Sequence, residues 1–236
     1  MKENNNVANM DGCVGCGLCA SACPRNAISL VMGENGFIVP QVDSSACVDC
    51  GICVKKCVVA DKDKLKAGNQ DEPRTYAAWS RDKELRKTSS SGGLFTEIAK
   101  TVLEKGGCVF GVKWQDAKTA VFACAETMDE LSAFRGSKYV PAFAGRVYKE
   151  VKAALDAGRY VLFSGTPCQV YALRSFLRKD YSKLFMVDIV CHGMPSYNIF
   201  LNYKNELEYL SGNPLREMVF RDKERINSPR PICRRK

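Results

Sequence analysis

The chain has 236 residues, of which 46% are hydrophobic, and a formal net charge of +9. The length allows one large domain or two modest ones. No apolar run approaches the roughly 20 residues that a membrane helix needs, so we expect no membrane span. The positive charge could indicate nucleic-acid binding, but part of it lies at the very end of the chain, in Arg230, Arg234, Arg235 and Lys236. A basic terminus of this kind is typical of a solvated chain end, and we expect no nucleic-acid partner.

Two cysteine runs dominate the first quarter of the chain. The run at 13–24 reads CVGCGLCASACP, the run at 47–58 reads CVDCGICVKKCV, and together they hold eight of the thirteen cysteines. Both have the spacing C-x2-C-x2-C-x3-C, with glycines that permit tight turns. In two-cluster ferredoxins the fourth cysteine of each run ligates the other cluster. The spacing therefore predicts a first 4Fe–4S cluster on Cys13, Cys16, Cys19 and Cys57, and a second on Cys47, Cys50, Cys53 and Cys23.

Two other uses of dense cysteines are less well supported. Disulfide frameworks belong to short secreted chains, and the first residues, MKENNNVANMDG, have neither the apolar core nor the cleavage site of a signal peptide. Structural zinc takes four ligands from separated pairs rather than from one run. Thiols committed to clusters predict a reducing cytoplasm.

A change of pattern divides the chain into four parts. Residues 1–60 form the cluster-binding unit, residues 61–74 are polar and predict a linker, and residues 223–236 predict an irregular basic tail. Between them, residues 75–222 alternate short apolar runs with helical periodicity, which indicates an α/β domain. The expected fold is an α+β ferredoxin-like N-terminal domain followed by an α/β domain.

Periodicity predicts the elements of the second domain in order. A strand is expected at Thr75–Ser80, followed by a helix that ends at Gly106–Gly107. One face of this helix is expected to carry Phe95, Ile98, Ala99, Val102 and Leu103. The other expected elements are strands at 108–114, 120–125, 160–164 and 184–190, and helices near 147–155, 168–177 and 196–210.

Three loops carry unusual residues at helix starts or strand ends, where α/β sheets bind ligands. The loop TSSSGGLF at 88–95 could hold a phosphate on free backbone N–H groups, or could be an ordinary helix cap. The loop FSGTPCQV at 163–170 places Cys168 in the first turn of a helix, where the dipole favours a reactive or metal-ligating thiol. The loop DIVCHGMPS at 188–196 contains Cys191 and the chain's one histidine, His192.

Each candidate also has a structural interpretation. A cysteine can be a small buried residue, which is what we predict for Cys108 and Cys124 in their strands. Cys168 is interpreted as functional because of its helix-start position, and His192 is equally consistent with a structural and a site role. A hydrolytic triad has little support, because no serine nucleophile motif accompanies the one histidine.

At these loops the sequence resembles a known family. The segments SSGGLFTEIAKTVLEKG, FRGSKYV, SGTPCQVYALRSFL, DIVCHGMPS and FRD are similar to the N-terminal part of the coenzyme F-420 hydrogenase/dehydrogenase beta subunit family. The two cysteine runs resemble the two-cluster ferredoxin domain of its bacterial members. The resemblance extends to about Asp222.

The resemblance implies an iron–sulfur flavoprotein oxidoreductase. Electrons would pass between the two 4Fe–4S clusters and FAD, and the flavin would exchange a hydride with a soluble acceptor, an F-420-like deazaflavin or another small molecule. Partners would be an electron-donor or electron-acceptor protein and that small molecule. By analogy, the flavin would lie near three segments, whose residues are Ser90, Ser91, Gly92 and Gly93; Gly136, Ser137, Lys138 and Tyr139; and Gly165, Thr166, Pro167, Cys168 and Gln169. Cys168 and His192 are the candidate catalytic residues.

Two features qualify this expectation. The family continues into a long C-terminal region, so an end at Lys236 suggests a shortened gene product or an excised piece, with a flavin site that could be incomplete. The alternative function is a non-catalytic, ferredoxin-type electron-transfer subunit that docks a partner enzyme. Two bound clusters would also cancel about four of the positive charges, which further weakens the nucleic-acid interpretation.

Overall fold

The computed structural model describes residues 5–8, 10–60, 73–215, 218–221 and 223. Its first part is a small α+β unit: helix α1 (Leu18–Ala22), strands β1 (Ile28–Met32) and β2 (Ile38–Val42), and helix α2 (Ile52–Lys56). The strands form an antiparallel hairpin in which Ile28 pairs with Val42 and Met32 with Ile38. Each cysteine run supplies one short helix, and the hairpin separates the two runs.

The second part is an α/β domain built on a five-stranded mixed sheet. Its elements are α3 (Lys83–Lys87), α4 (Leu94–Leu103), β3 (Cys108–Trp114), β4 (Ala120–Ala125), α5 (Met128–Ser132), β5 (Ala142–Phe143), α6 (Val147–Asp156), β6 (Val161–Gly165), α7 (Pro167–Leu177), β7 (Leu184–Asp188) and α8 (Tyr197–Ser211). The strand order is β5-β4-β3-β6-β7. The pairs β3–β6, β6–β7 and β4–β5 are parallel, and β3–β4 is antiparallel.

Helices cover both faces of the sheet. On one face α6 and α7 bury Tyr148, Val151 and Leu173 against Phe110 and Phe163. On the other face α4 and α5 pack on Val109 and Leu162. Successive side chains along β3 and β6 therefore point to opposite faces of the sheet, as the period of two requires. No helix within the described ranges is both long and apolar enough to cross a membrane.

Most predicted elements are confirmed, and two predictions are wrong. Residues 75–80 form no strand: Tyr76 and Trp79 are exposed, and Ser80 N–H bonds to the carbonyl of Gly92 in a loop rather than to a sheet neighbour. Cys108 is fully buried as predicted, but Cys124 is exposed. The short strand β5 pairs only with Ala120 and Val121 and does not extend along β4 as far as Cys124. The predicted linker and the basic tail lie almost entirely outside the described residues.

The small unit packs directly on the α/β domain. Leu18 of α1 belongs to the same apolar cluster as Phe163, and Lys56 Nζ donates to the carbonyl of Ser175 in α7 at 2.7 Å. At the hairpin turn, the carbonyl of Gly36 accepts from Tyr197 N–H at 2.8 Å and the carbonyl of Asn35 accepts from Ser196 Oγ at 2.7 Å. The two parts therefore meet at the cysteine helices and at the start of α8.

Gly17 marks a close approach between the two parts. Its φ is +78°, and a Cβ there would lie 2.8 Å from Ala144 Cβ and 3.0 Å from Leu30 Cδ1. Gly17→Ala should therefore lower the free energy of unfolding by about 2–4 kcal/mol, from overpacking and left-handed strain together. Thermal unfolding under anaerobic conditions would measure it. Gly106→Ala is the control, because its φ is +68° but a Cβ there meets no atom within 4 Å. Equal shifts for the two variants would contradict this close packing.

Candidate iron–sulfur and flavin site

The four cysteines of the predicted first set surround one cavity. It is lined by Cys13, Cys16, Cys19 and Cys57. The rest of its wall is mostly apolar and includes Val7, Leu30 and Val58. The structure thus brings Cys57 from the second run to the three leading cysteines of the first run, which is the grouping that crossed ligation requires.

The predicted second set surrounds a second cavity. It is lined by Cys23, Cys47, Cys50 and Cys53. Among the described residues, no three His, Cys, Asp or Glu side chains come close enough to share a single metal ion. The four thiols of each set line one cavity, and a polynuclear cluster with one thiolate per iron needs its ligands arranged in this way. The residues present therefore fit two 4Fe–4S clusters; the ligation itself stays a prediction.

Helix geometry explains why the fourth cysteine of each run lies with the cysteines of the other run. Gly17 and Gly51 have φ of +78° and +70°, and each turns the chain into a five-residue helix that carries the third cysteine of its run. Five helical residues advance about 7.5 Å. The fourth cysteine, at the C-terminal cap, is therefore carried away from its own run. Because α1 and α2 pack together, it reaches the cavity of the other run.

The two cavities differ in burial. Burial raises the pKa of Cys16 and of Cys19 to about 12, and neighbouring thiols add to the effect. These thiols therefore carry protons until metal displaces them. In the second set Cys50 is exposed, as is the neighbouring Val48 at 61%. The first cavity is thus the inner one and the second faces solvent.

Hydrogen bonds to sulfur are present in both sets. Gly15 N–H donates to Cys13 Sγ at 3.5 Å and Ala27 N–H donates to Cys23 Sγ at 3.3 Å. Asn6 Nδ2 lies 3.9 Å from Cys47 Sγ. Such bonds stabilise negative charge on the ligands and so help to set the reduction potential of a bound cluster.

The inner cavity is joined to the α/β domain through Tyr148, a residue that the sequence reasoning missed. Its hydroxyl donates to the carbonyl of Cys16 at 2.6 Å. Burial raises the pKa of Tyr148 well above its ordinary value, so the hydroxyl keeps the proton that it donates. The apolar spacing of Val147, Tyr148 and Val151 could have placed the ring in a core, but not against a cysteine run. Cys168 packs on the same apolar cluster as Cys16.

Cys168 lies where the sequence predicted, at the start of a helix. Pro167 is the first residue of α7, and Thr166 with Gln169 forms a reciprocal cap in which Gln169 Oε1 accepts from Thr166 N–H at 2.9 Å. Thr166 Oγ1 and Cys168 Sγ are 3.1 Å apart. The Gln169 side chain is thus occupied by the helix cap, while the Cys168 thiol faces the first cysteine run.

The candidate flavin loops share one edge of the sheet. The 136–139 loop leads into β5, which begins at Ala142. Ala142 pairs with Ala120 of β4, and Ala120 pairs with Trp114, so this loop lies at the carboxyl end of β3. Ser137 N–H donates to Ser90 Oγ at 2.7 Å, so the 90–93 loop joins the 136–139 loop there. The third loop follows Gly165 at the carboxyl end of β6, which is parallel to β3.

Lys138 stands out within this group of loops. Its Nζ donates to the carbonyls of Ala133 and Arg135 at 3.1 and 3.0 Å. Burial lowers the pKa of Lys138 to about 8. Lys138 follows Ser137 in the chain, but its ammonium group is directed to these main-chain carbonyls.

Cys191 and His192 lie in an exposed loop at the same sheet edge. Ile189 N–H donates to the carbonyl of Gly165 at 3.0 Å, which ties the start of this loop to the Cys168 loop. Val190 is 89% exposed, and His192 is exposed too. The structure thus places the two candidate catalytic residues, Cys168 and His192, on adjacent loops.

Comparisons with known proteins agree with this arrangement. A family model described as a 4Fe-4S dicluster domain matches residues 12–60. The models for the coenzyme F-420 hydrogenase/dehydrogenase beta subunit match residues 75–147 with the N-terminal part and residues 158–227 with the C-terminal part. No curated protein matches the chain.

One solved structure with a similar chain is the F-420-reducing [NiFe] hydrogenase complex from Methanosarcina barkeri, in a xenon derivative. The sequences are 23% identical, the TM-score is 0.46, and the match covers 54% of this chain and 47% of that one. This chain therefore matches less than half the length of that relative. On the three family models, the chain is an iron–sulfur protein with a dicluster domain and belongs to the coenzyme F-420 hydrogenase/dehydrogenase beta subunit family.

Proposed function

We propose that the chain relays electrons through two 4Fe–4S clusters to FAD, from which a hydride is exchanged with a soluble small molecule. The observation that carries the proposal is the burial of Cys16 and Leu18 in the apolar core of the α/β domain, beside Cys168. A freely tethered electron carrier would have no reason to bury its inner cysteine run in this way. When bound, the clusters supply single-electron transfer and the flavin supplies hydride chemistry.

The chain's own residues would divide the work. The eight cysteines of the two runs would hold the clusters. The second set, which faces solvent, would be directed toward a protein partner, and the inner first set would be directed toward the sheet. Ser90, Ser137 and Lys138 would bind the anionic part of the flavin, together with the glycines of their loops. Cys168 would lie between the first cluster and the flavin, and His192 would serve the acceptor at the open sheet edge.

The partners that we propose follow from this division. They are an electron-donor or electron-acceptor protein at the second cluster and a small hydride acceptor at the sheet edge, either an F-420-like deazaflavin or another compound. We also propose a reducing compartment such as the cytoplasm, because the thiols would be committed to metal.

A second function is supported by the exposure of His192 and Val190. With the loops at the sheet edge open to solvent, the α/β domain could dock a partner enzyme that holds the flavin. The chain would then be a non-catalytic electron-transfer subunit.

Anaerobic reconstitution tests both functions. Two clusters require about eight iron and eight sulfide per chain, and the first function requires in addition about one FAD, released by denaturation and measured by fluorescence. Eight iron without FAD would favour the electron-transfer subunit. About four iron would leave one run without a cluster, and zinc without sulfide would overturn both functions.

A further inference from the structure

Tyr148 makes a hydrogen bond that links the two parts of the molecule. It lies in α6, is fully buried, and donates its hydroxyl proton to the carbonyl of Cys16, 132 positions away in sequence. The oxygen-to-oxygen distance is 2.6 Å. Its ring is fixed by two aromatic neighbours, with centroid distances of 6.0 Å to Phe163 and 6.4 Å to Phe176.

The position of the accepting carbonyl gives this bond its importance. The carbonyl of Cys16 belongs to the peptide that leads into Gly17, whose φ of +78° turns the chain into α1. The orientation of that peptide determines where Cys16 Sγ lies relative to Cys13 and Cys19. The Tyr148 hydroxyl is shielded from water, and its ring is fixed by packing. Its hydrogen bond therefore holds Cys16, a predicted ligand of the first cluster, in place.

The second run provides an internal comparison. It has the same cysteine spacing, but Cys50, the counterpart of Cys16, is exposed. The counterpart of Gly17 is Gly51, and its nearest neighbour is the side chain of Asn5 from the small unit itself. At this position the two runs are thus supported differently, the first by Tyr148 of the α/β domain and the second by Asn5 of its own unit, although α2 also contacts the domain through Lys56.

We propose that Tyr148 is a positioning residue for the first cluster, and that its hydroxyl supports this cluster and not the second. The proposal rests on the proposed function in that it presupposes two bound clusters. It assigns to α6 a part in setting the properties of the cluster that would face the flavin.

The test uses Tyr148→Phe in the full, reconstituted chain. Phenylalanine keeps the ring and its packing and removes only the donor to Cys16. Iron is withdrawn with a chelator, the exposed thiols are alkylated, and peptide mass spectrometry follows each cysteine. We expect Cys13, Cys16, Cys19 and Cys57 to become alkylated about five- to a hundredfold faster than in the unsubstituted protein, the factor for a lost buried hydrogen bond. The second set should react at its original rate.

A second measurement separates positioning from general loosening. In a redox titration followed by electron paramagnetic resonance, the midpoint potential of the first cluster should shift and that of the second should not, because hydrogen bonding around the ligands tunes the potential. The matched control is Tyr181→Phe, since the Tyr181 hydroxyl donates to Asp156 Oδ1 at 2.8 Å on the exposed side of the domain. This control should leave both clusters unchanged.

Three results would overturn the proposal. Tyr148→Phe could leave both alkylation rates and both potentials unchanged, it could speed the two sets equally, or it could match Tyr181→Phe. Failure of the proposed function would look different, because the unsubstituted chain would then either fail to hold about eight iron or hold them without FAD.

Discussion

Replacement of Cys57 by serine is expected to remove the first cluster and to leave the second intact, although Cys57 belongs to the second run. Cys57 lines the cavity of Cys13, Cys16 and Cys19, at the C-terminal cap of α2. Serine offers a poor ligand to iron in place of a thiolate, so iron and sulfide should fall from about eight to about four per chain. Iron and sulfide analysis measures the loss, and alkylation of the remaining cysteines shows which cluster is gone.

The reciprocal variant is the matched control. Cys23 is at the C-terminal cap of α1 and lines the cavity of Cys47, Cys50 and Cys53. Cys23→Ser should therefore expose those three thiols and protect the first set. If Cys57→Ser left Cys13, Cys16 and Cys19 protected and exposed its own run, the crossed assignment would be wrong.

Periodicity in the sequence is sufficient to predict the long elements and insufficient for the short ones. The helices α4 and α6 and the strand β3 have clear apolar patterns and are confirmed with nearly the predicted bounds. The five-residue helix α5 was missed, although Thr127 and Glu130 form a capping box that marks its start. The strand predicted at 75–80 is wrong because apolar and aromatic content favours a strand only where a sheet neighbour exists.

For the candidate site, sequence spacing predicts which cysteines come together, but it does not predict contacts between the two domains. The cysteine spacing was enough to predict both sets that surround the cavities. The contact between Tyr148 and Cys16 depends instead on how α6 and the first run pack across the domain boundary. Nothing in the local pattern around Tyr148 specifies a partner 132 residues away. The exposure of Cys124 was missed for the same reason, since it depends on where β5 ends.

Replacement of Cys168 by serine tests whether the α/β domain is a site or only a scaffold. The thiol lies at the start of α7, 3.1 Å from Thr166 Oγ1, and packs on the apolar cluster that contains Cys16. It is therefore beside the inner cysteine run and at the sheet edge that carries the candidate flavin loops. We expect Cys168→Ser to retain about eight iron and to lower either FAD occupancy or the rate of flavin reduction, by about tenfold, equivalent to ~1.4 kcal/mol.

Cys108→Ser is the appropriate comparison, because Cys108 is fully buried in the same apolar cluster but at the amino end of β3, the opposite edge of the sheet. Both substitutions exchange a thiol for a hydroxyl. Burying that hydroxyl costs about 1–3 kcal/mol of stability at the fully buried Cys108, and less at the half-buried Cys168, where Thr166 Oγ1 is within hydrogen-bond distance. In the proposed arrangement, only the change at Cys168 alters a group between the first cluster and the candidate flavin loops. Stopped-flow reduction with FAD release as a second readout should therefore separate the two variants. If they behave alike, with FAD bound and reduced normally, Cys168 is a packing residue and electrons leave the first cluster by another route.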